Sequence, residues 1–333
     1  MGVETETRTM QAIVQRAYGA PEAVLTVGTA ARPVPTRDEV LVRVHASSLN
    51  FADVAMVTGR PALIRAVMGL RRPRHRVPGR DVAGVVEAVG ADVTDVRAGD
   101  EVYAEATAGT WAQYVAVPAK LVGRKPGNLG FAEAATLPLA AGTALDCVAG
   151  VRPGQKVLVN GASGGVGSFA VQAAKALGAE VTGVCSGRNV ELVRSLGADH
   201  VVDYERSDFT TGGTRYDLII DLVGNRSLAA YRRALTPRGT LHLSGGGGGR
   251  IIGPMARLAQ ALVVNPFVSQ HLRPVFATPS RGKLDRLREL AEAGSLTPAV
   301  ERTYPLSDAP EAVRRLIAEH ARGKTVLTVA QES

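Results

Sequence analysis

Two different hydrophobic patterns divide the chain. In the middle, short apolar runs alternate with stretches of helical spacing. Residues 157–160 are brief, apolar and β-branched, as a buried strand is. Residues 168–177 carry Phe169, Val171, Ala174 and Leu177 at helical spacing among good helix formers. A strand over 180–184 and a helix over about 190–196 follow, and "HVVDY", "YDLIIDLVG" and "GTLHLSGG" supply further strands. This alternation predicts a doubly wound parallel sheet. Residues 10–125 read differently. "AIVQRA", "EVLVRVHAS", "DVAGVVEAVG", "DEVYAEA" and "TWAQYVAV" are short strands punctuated by Gly, Pro and Asp, which predicts a mostly antiparallel β domain. Residues 131–150 read as a helical lead into the parallel domain. Near the end come helices around 254–263, 281–293 and 309–320 and strands at 299–304 and 324–329. That tail either extends the parallel sheet or returns to the first domain.

Between the strand at 157–160 and the helix that follows lies "GASGGVG". A nucleoside-triphosphate loop needs Lys and then Ser or Thr after its last glycine, whereas here Gly167 is followed directly by Ser168. The dinucleotide pattern G-x-G-x-x-G fits with one added methyl, as Ala162-x-Gly164-x-x-Gly167. Gly164 lets the backbone approach a pyrophosphate, Gly167 lets the helix pack on the strand, and the helix N-terminus offers free N–H groups. Ser163, Gly164, Gly165 and Val166 are therefore expected to bind cofactor. An NAD site usually carries Asp or Glu at the end of the second strand. Here that place reads Cys185-Ser186-Gly187-Arg188-Asn189. Nothing in it repels a 2′-phosphate, and Ser186 and Arg188 are able to hold one, so NADPH is the expected cofactor. Arg188 alternatively does no more than open a surface helix.

The 333 residues are enough for two domains. Basic residues exceed acidic ones by 39 − 31 = 8, but they are scattered and no aromatic-rich basic surface is readable, so no nucleic-acid partner is expected. The densest cluster, "RRPRHR" at 71–76, is either a solvated loop or a rim that attracts an anion. Cys147 and Cys185 make no disulfide framework. The polar N-terminus does not read as a signal peptide, and no uncharged apolar run reaches the length of a membrane span. A cytoplasmic protein without a membrane partner is expected.

"PGRDVAGVVEAVG", "AGDEVYA", "AATLPLAAGTAL", the glycine loop with its flanks, and "HARGKTVLTV" occur in an order that resembles the medium-chain dehydrogenase/reductase superfamily. The resemblance covers roughly residues 10–330 and is nearest to the zinc-independent, quinone-oxidoreductase-like branch. It implies a GroES-like catalytic domain (10–130 and 277–333), a Rossmann domain (131–276) and a cofactor cleft between them. It places Asn50 and Thr143 near the nicotinamide. Leu222, Gly224, Ser244, Gly245 and Gly246 would lie along its ribose and amide. Tyr204, Arg322 and Lys324 are further cofactor contacts on the same ground. The zinc enzymes of the superfamily hold their metal through Cys, His and Cys. Here the first place is Asn50, the family's His-Glu pair is Arg80-Asp81, and the third place in "LPLAAGTA" has no cysteine, so no metal is expected. Related enoyl reductases often carry a tyrosine where this chain has Arg60, a group able to stabilise an enolate but a poor acid. Residues 59–79 make a long connection, which either packs over the cleft or only on its own domain.

The expected activity is hydride delivery from NADPH to a conjugated acceptor, a quinone or an α,β-unsaturated carbonyl, whose developing charge is delocalised. A zinc-free alcohol dehydrogenase and a non-catalytic NADPH-binding protein are the competing readings. The expected partner is the small-molecule acceptor, with a second copy of the chain as a candidate one.

Overall fold

Two large sheets and a two-stranded antiparallel one, β1-β2, organise the computed structural model, which describes residues 8–244, 255–319 and 322–331. The strands are β1 (Thr9–Gln15), β2 (Leu25–Ala31), β3 (Glu39–Ser48), β4 (Asp81–Val89), β5 (Glu101–Glu105), β6 (Tyr114–Pro118), β7 (Val122–Arg124), β8 (Lys156–Asn160), β9 (Glu180–Cys185), β10 (His200–Asp203), β11 (Tyr216–Asp221), β12 (Leu235–Leu243), β13 (His271–Pro274), β14 (Val300–Pro305) and β15 (Lys324–Thr328).

The six-stranded sheet has the order β10-β9-β8-β11-β12-β13, and every pair in it is parallel. Counted from β8, that is the 3-2-1-4-5-6 order of the dinucleotide-binding fold, in which a crevice opens where the order reverses, between β8 and β11. Its strands read as continuous apolar runs because both faces are covered: Val157, Val159, Val181, Leu218 and Ile220 lie in one core, and Leu158, Val184, Ile219 and Leu241 in the other.

The second sheet is mostly antiparallel, in the order β14-β15-β3-β4-β5-β7, with β6 also on β3. The tail returns to it: β15 pairs antiparallel with β3, Val326 opposite Ser48, and β14 adds on in parallel. This return carries Lys324 to the beginning of the helix Phe51–Thr58.

Several local expectations shift. The first Rossmann helix runs Gly165–Ala176 and so starts before the good helix formers do, because its first turn is the glycine loop itself. Residues 131–150 break into Phe131–Ala134, a π-helical turn Leu137–Ala141 containing Pro138, and Gly142–Val148. Within the connection 59–79 the chain forms a 3₁₀ turn, Ala62–Ile64, followed by a short helix, Arg65–Met68, which stops at Gly69, whose φ of +116° is open to glycine. The exposed strand β2 was not foreseen, having no buried apolar stripe along most of its length.

Candidate functional site

The glycine loop closes tightly at its base. A Cβ on Gly167 would lie 2.0 Å from the Gly161 carbonyl, so only glycine allows this approach. Ala162, the added methyl of the pattern, fits because Gly183 faces it. At Gly164 a Cβ would meet only the Gly161 oxygen at 3.5 Å, so this part of the loop faces open space above the helix N-terminus. Ser163 is buried. Its Oγ accepts from Asn189 Nδ2 (3.0 Å), and its carbonyl accepts from the Gly323 N–H (2.7 Å). Val166 lies half-buried in the first turn.

At the end of β9, Ser186 is buried and Arg188 exposed. Asn189 Nδ2 also reaches Ser186 Oγ (3.3 Å), while its Oδ1 is buried with no partner. The sequence reading missed a pair of acids here. A Cβ on Gly187 would lie 2.8 Å from Asp203 Oδ2 and 3.8 Å from Glu205 Oε2. Both come from the end of β10 rather than β9, and Arg206 pairs with Asp203 at 3.4 Å. Tyr204 is held beside β9 by its N–H on the Cys185 carbonyl (3.1 Å).

Across the crevice, Leu222 donates its N–H to the Asn160 carbonyl (3.2 Å) and Gly224 donates to Asp221 Oδ1 (3.0 Å). Ser244 donates its N–H to the Asp221 carbonyl (3.1 Å). Gly245 and Gly246 lie outside the described residues. The open loop, the unpartnered Asn189 oxygen and the backbone turns of the crevice fit a nicotinamide dinucleotide.

The catalytic candidates do not all converge. Asn50 caps the helix Phe51–Thr58 and is 7% exposed. Its Nδ2 donates to Asp81 Oδ2 (2.9 Å), and its Oδ1 accepts from Lys324 Nζ (2.5 Å). Its backbone N–H is held by Asp53 Oδ2 (2.8 Å). Lys324 Nζ also reaches the Leu49 carbonyl (2.9 Å) and lies 3.8 Å from Asp81. Asp81 further accepts from Ser48 Oγ (2.8 Å) and the Leu139 N–H (3.0 Å). Lys324 therefore meets the glycine loop through its stem, against which a Cβ on Gly165 would press at 2.9 Å, and turns its ammonium away to Asn50. Thr143 Oγ1 donates to the Leu139 carbonyl of the preceding π-helical turn (2.7 Å), so its proton is already engaged. Arg60 is exposed at the far end of the eight-residue helix that Asn50 caps, a helix of roughly 12 Å. It is not brought to Asn50. Arg322 is exposed, with its N–H on Glu301 (3.1 Å).

Asn50, Asp53, Asp81 and Lys324 thus form one buried cluster. Burial, and then the Asp81 charge, push the Asp53 carboxyl up to about 7. Burial holds Lys324 below the usual ammonium range, against the pull of Asp81 and Asp53. Glu105 is likewise pushed up to about 7 by burial and Asp81, although Arg80 lies 2.5 Å away.

An acid raised in the folded state adds stability that is complete below its unfolded pKa and is lost as pH rises through the folded value. Asp53 and Glu105 therefore make stability fall between about pH 4 and pH 7, each by up to about 1.4 kcal/mol per pH unit. Asp53→Asn keeps an oxygen for the Asn50 N–H and removes one of these two contributions. Its denaturation midpoint should decline less steeply across that window than the wild type's, and an unchanged slope would refute the assignment.

The donor set does not suit zinc. The expected ligand positions hold Asn50, Arg80 and Asp81, and no group of three or more His, Cys, Asp or Glu able to hold a metal occurs among the described residues. An ammonium sits against Asn50 and Asp81 instead.

Residues 36–127 match the alcohol dehydrogenase GroES-like domain family and residues 196–327 the zinc-binding dehydrogenase family. The bovine (Bos taurus) mitochondrial NAD(P)H oxidoreductase RTN4IP1 is 36% identical over 330 residues, 88% of this chain and 82% of that one. The Arabidopsis thaliana chloroplastic NADPH-dependent alkenal/one oxidoreductase is 32% identical, over 96% of this chain and 79% of that one. The solved quinone oxidoreductase from Coxiella burnetii superposes with a TM-score of 0.86 at 28% identity, covering 97% of this chain and all of that one.

Proposed function

We propose, from the premise that this chain belongs to the quinone-oxidoreductase-like branch of the medium-chain dehydrogenase/reductase superfamily, that it is an NADPH-dependent reductase of conjugated acceptors, quinones or α,β-unsaturated carbonyls, working without zinc. The observation that carries this reading is the buried Lys324–Asn50–Asp81 cluster. Bound NADPH supplies a hydride. The chain must then stabilise the negative charge that develops on the acceptor oxygen. Asn50 has two amide protons, and Asp81 takes one. The other is free to meet the acceptor, and Lys324 on Oδ1 draws electron density from the amide and strengthens that donor. A neutral donor of this kind suits an enolate or hydroquinone anion, in which charge is spread. An alkoxide concentrates its charge on one oxygen and calls for a metal or strong acid.

The test compares turnover of a quinone, an enone, a saturated ketone and a simple alcohol, with and without a chelator. Quinone or enone should react fastest, and chelation should change nothing. Faster reduction of the saturated ketone, alcohol oxidation that a chelator abolishes, or NADPH binding without any turnover would each overturn the proposal.

Ser186 and Arg188 are proposed to receive the 2′-phosphate. Loss of one charge-assisted hydrogen bond costs roughly 1.5–3 kcal/mol, so Arg188→Ala should weaken NADPH binding by about 10- to 150-fold. The lower end is expected, because Arg188 is exposed and Asp203 and Glu205 stand beside this end of β9. NADH binding should barely change, and equal losses for the two cofactors in a titration would remove the role.

A further inference from the structure

The connection 59–79 is built inside out. Leu63 lies in the 3₁₀ turn, Val67 in the short helix that follows and Leu70 just past its end at Gly69, and they are 52%, 70% and 78% exposed. The Arg65 guanidinium lies over the Tyr18 ring at 4.9 Å from the centroid and donates from Nε to the Gly59 carbonyl (3.0 Å). Tyr18 Oη donates to the Gly69 carbonyl (2.8 Å), which pins the end of the segment. The cation faces the protein, and the aliphatic side chains face solvent.

The charge in this connection is of one sign only. Residues 54–80 contain seven arginines and no Asp or Glu. Arg80 is paired with Glu105 and Arg65 with Tyr18. Arg72, Arg74 and Arg76, with Pro73, Gln15 at the end of β1 and Arg16 just after it, line an open hollow of about 740 Å³. The Arg74 N–H on the Met68 carbonyl (2.7 Å) folds the arginine run back against the short helix.

We propose that this face docks on an anionic phospholipid surface. Leu63, Val67 and Leu70 enter the boundary between headgroups and acyl chains, and the hollow receives headgroup phosphates. A second copy of the chain is a poor occupant, since a symmetric contact would set one arginine cluster against another. The absence of a helix long enough to cross a membrane among the described residues does not bear on a protein lying on its surface. The inference deepens the proposed function, on which its purpose rests: a lipophilic acceptor would reach the reductase from the bilayer.

The experiment is co-sedimentation of the full chain with vesicles of phosphatidylcholine, with and without phosphatidylserine. Binding should require phosphatidylserine and weaken with salt. Arg72→Gln/Arg74→Gln should lower affinity about 5-fold per arginine, or about 25-fold for the pair. Val67→Ser/Leu70→Ser, which leaves charge unchanged, should lower it at least about 10-fold. Binding that ignores phosphatidylserine would overturn the proposal. So would binding that inorganic pyrophosphate abolishes while the apolar pair is irrelevant, which marks a free-phosphate site. A change of oligomeric state in the apolar variant without lipid would also overturn it, as the mark of a protein–protein face. Turnover of a short-chain, water-soluble quinone without vesicles reports separately on the function: vesicle binding without that turnover sinks the reductase reading alone, and the reverse sinks this one alone.

Discussion

Asn50→Ala is expected to lower kcat on a quinone or enone by about 10²- to 10³-fold, the range seen when one preorganised donor is removed from an oxyanion site. NADPH affinity should hardly move, because Asn50 meets the glycine loop only through Lys324, whose stem against Gly165 the substitution leaves in place. The size of the effect follows from how firmly the amide is fixed. Lys324 on Oδ1 and Asp81 on Nδ2 leave only one way round for it, and the Asp53 bond to its backbone fixes the turn beneath. A donor already held needs no reorganisation as charge develops on the acceptor. Thr143 offers no replacement while its hydroxyl is committed to Leu139, and Arg60 stands at the wrong end of the helix. The measurement is steady-state turnover beside a fluorescence titration of NADPH. Unchanged kcat would remove Asn50 from the chemistry, and a parallel loss of NADPH affinity would make it a structural residue.

The sequence made the parallel sheet legible because strands buried on both faces are continuous apolar runs, and because the glycine loop falls where strand β8 meets its helix. It was less informative wherever a residue's role depends on a partner far along the chain. Lys324 reads locally as the first residue of a strand in "GKTVLTV". Only the pairing of β15 with β3 brings its ammonium to Asn50, 274 positions away. Asp81 was noticed as a departure from a metal-binding pair, yet its acceptance of Asn50, Ser48 and Leu139 has no local signature. Asp203 and Glu205 escaped for the same reason, because β10 lies beside β9 in the sheet but past a helix in sequence. Leu63, Val67 and Leu70 have helical spacing in the sequence, but the chain leaves the helix at Gly69, and spacing alone does not tell which side faces solvent.

Lys324→Met should destabilise the fold by about 3–5 kcal/mol, the cost of breaking a buried ion pair by removing one partner. Lys324 is 3% exposed and Asp81 fully buried, so the carboxylate left behind cannot recruit bulk water. Ser48, Asn50 and the Leu139 N–H still donate to it, but they supply dipoles rather than a compensating charge. If the loss comes from that stranded charge, Lys324→Met/Asp81→Asn should recover most of the stability, giving a coupling of opposite sign to the single losses. Catalysis should not recover with it, because Asn50 Oδ1 would still lack its cation. The double variant is then a stable protein with a low kcat, which separates the structural part of Lys324 from its part in orienting and polarising the amide. Denaturant midpoints at neutral pH, with turnover on the same samples, make the comparison. A Lys324→Met chain within about 0.5 kcal/mol of wild type, as for an ordinary surface substitution, would show that the ammonium does not balance Asp81. A double variant with full turnover would show that Asn50 works without it.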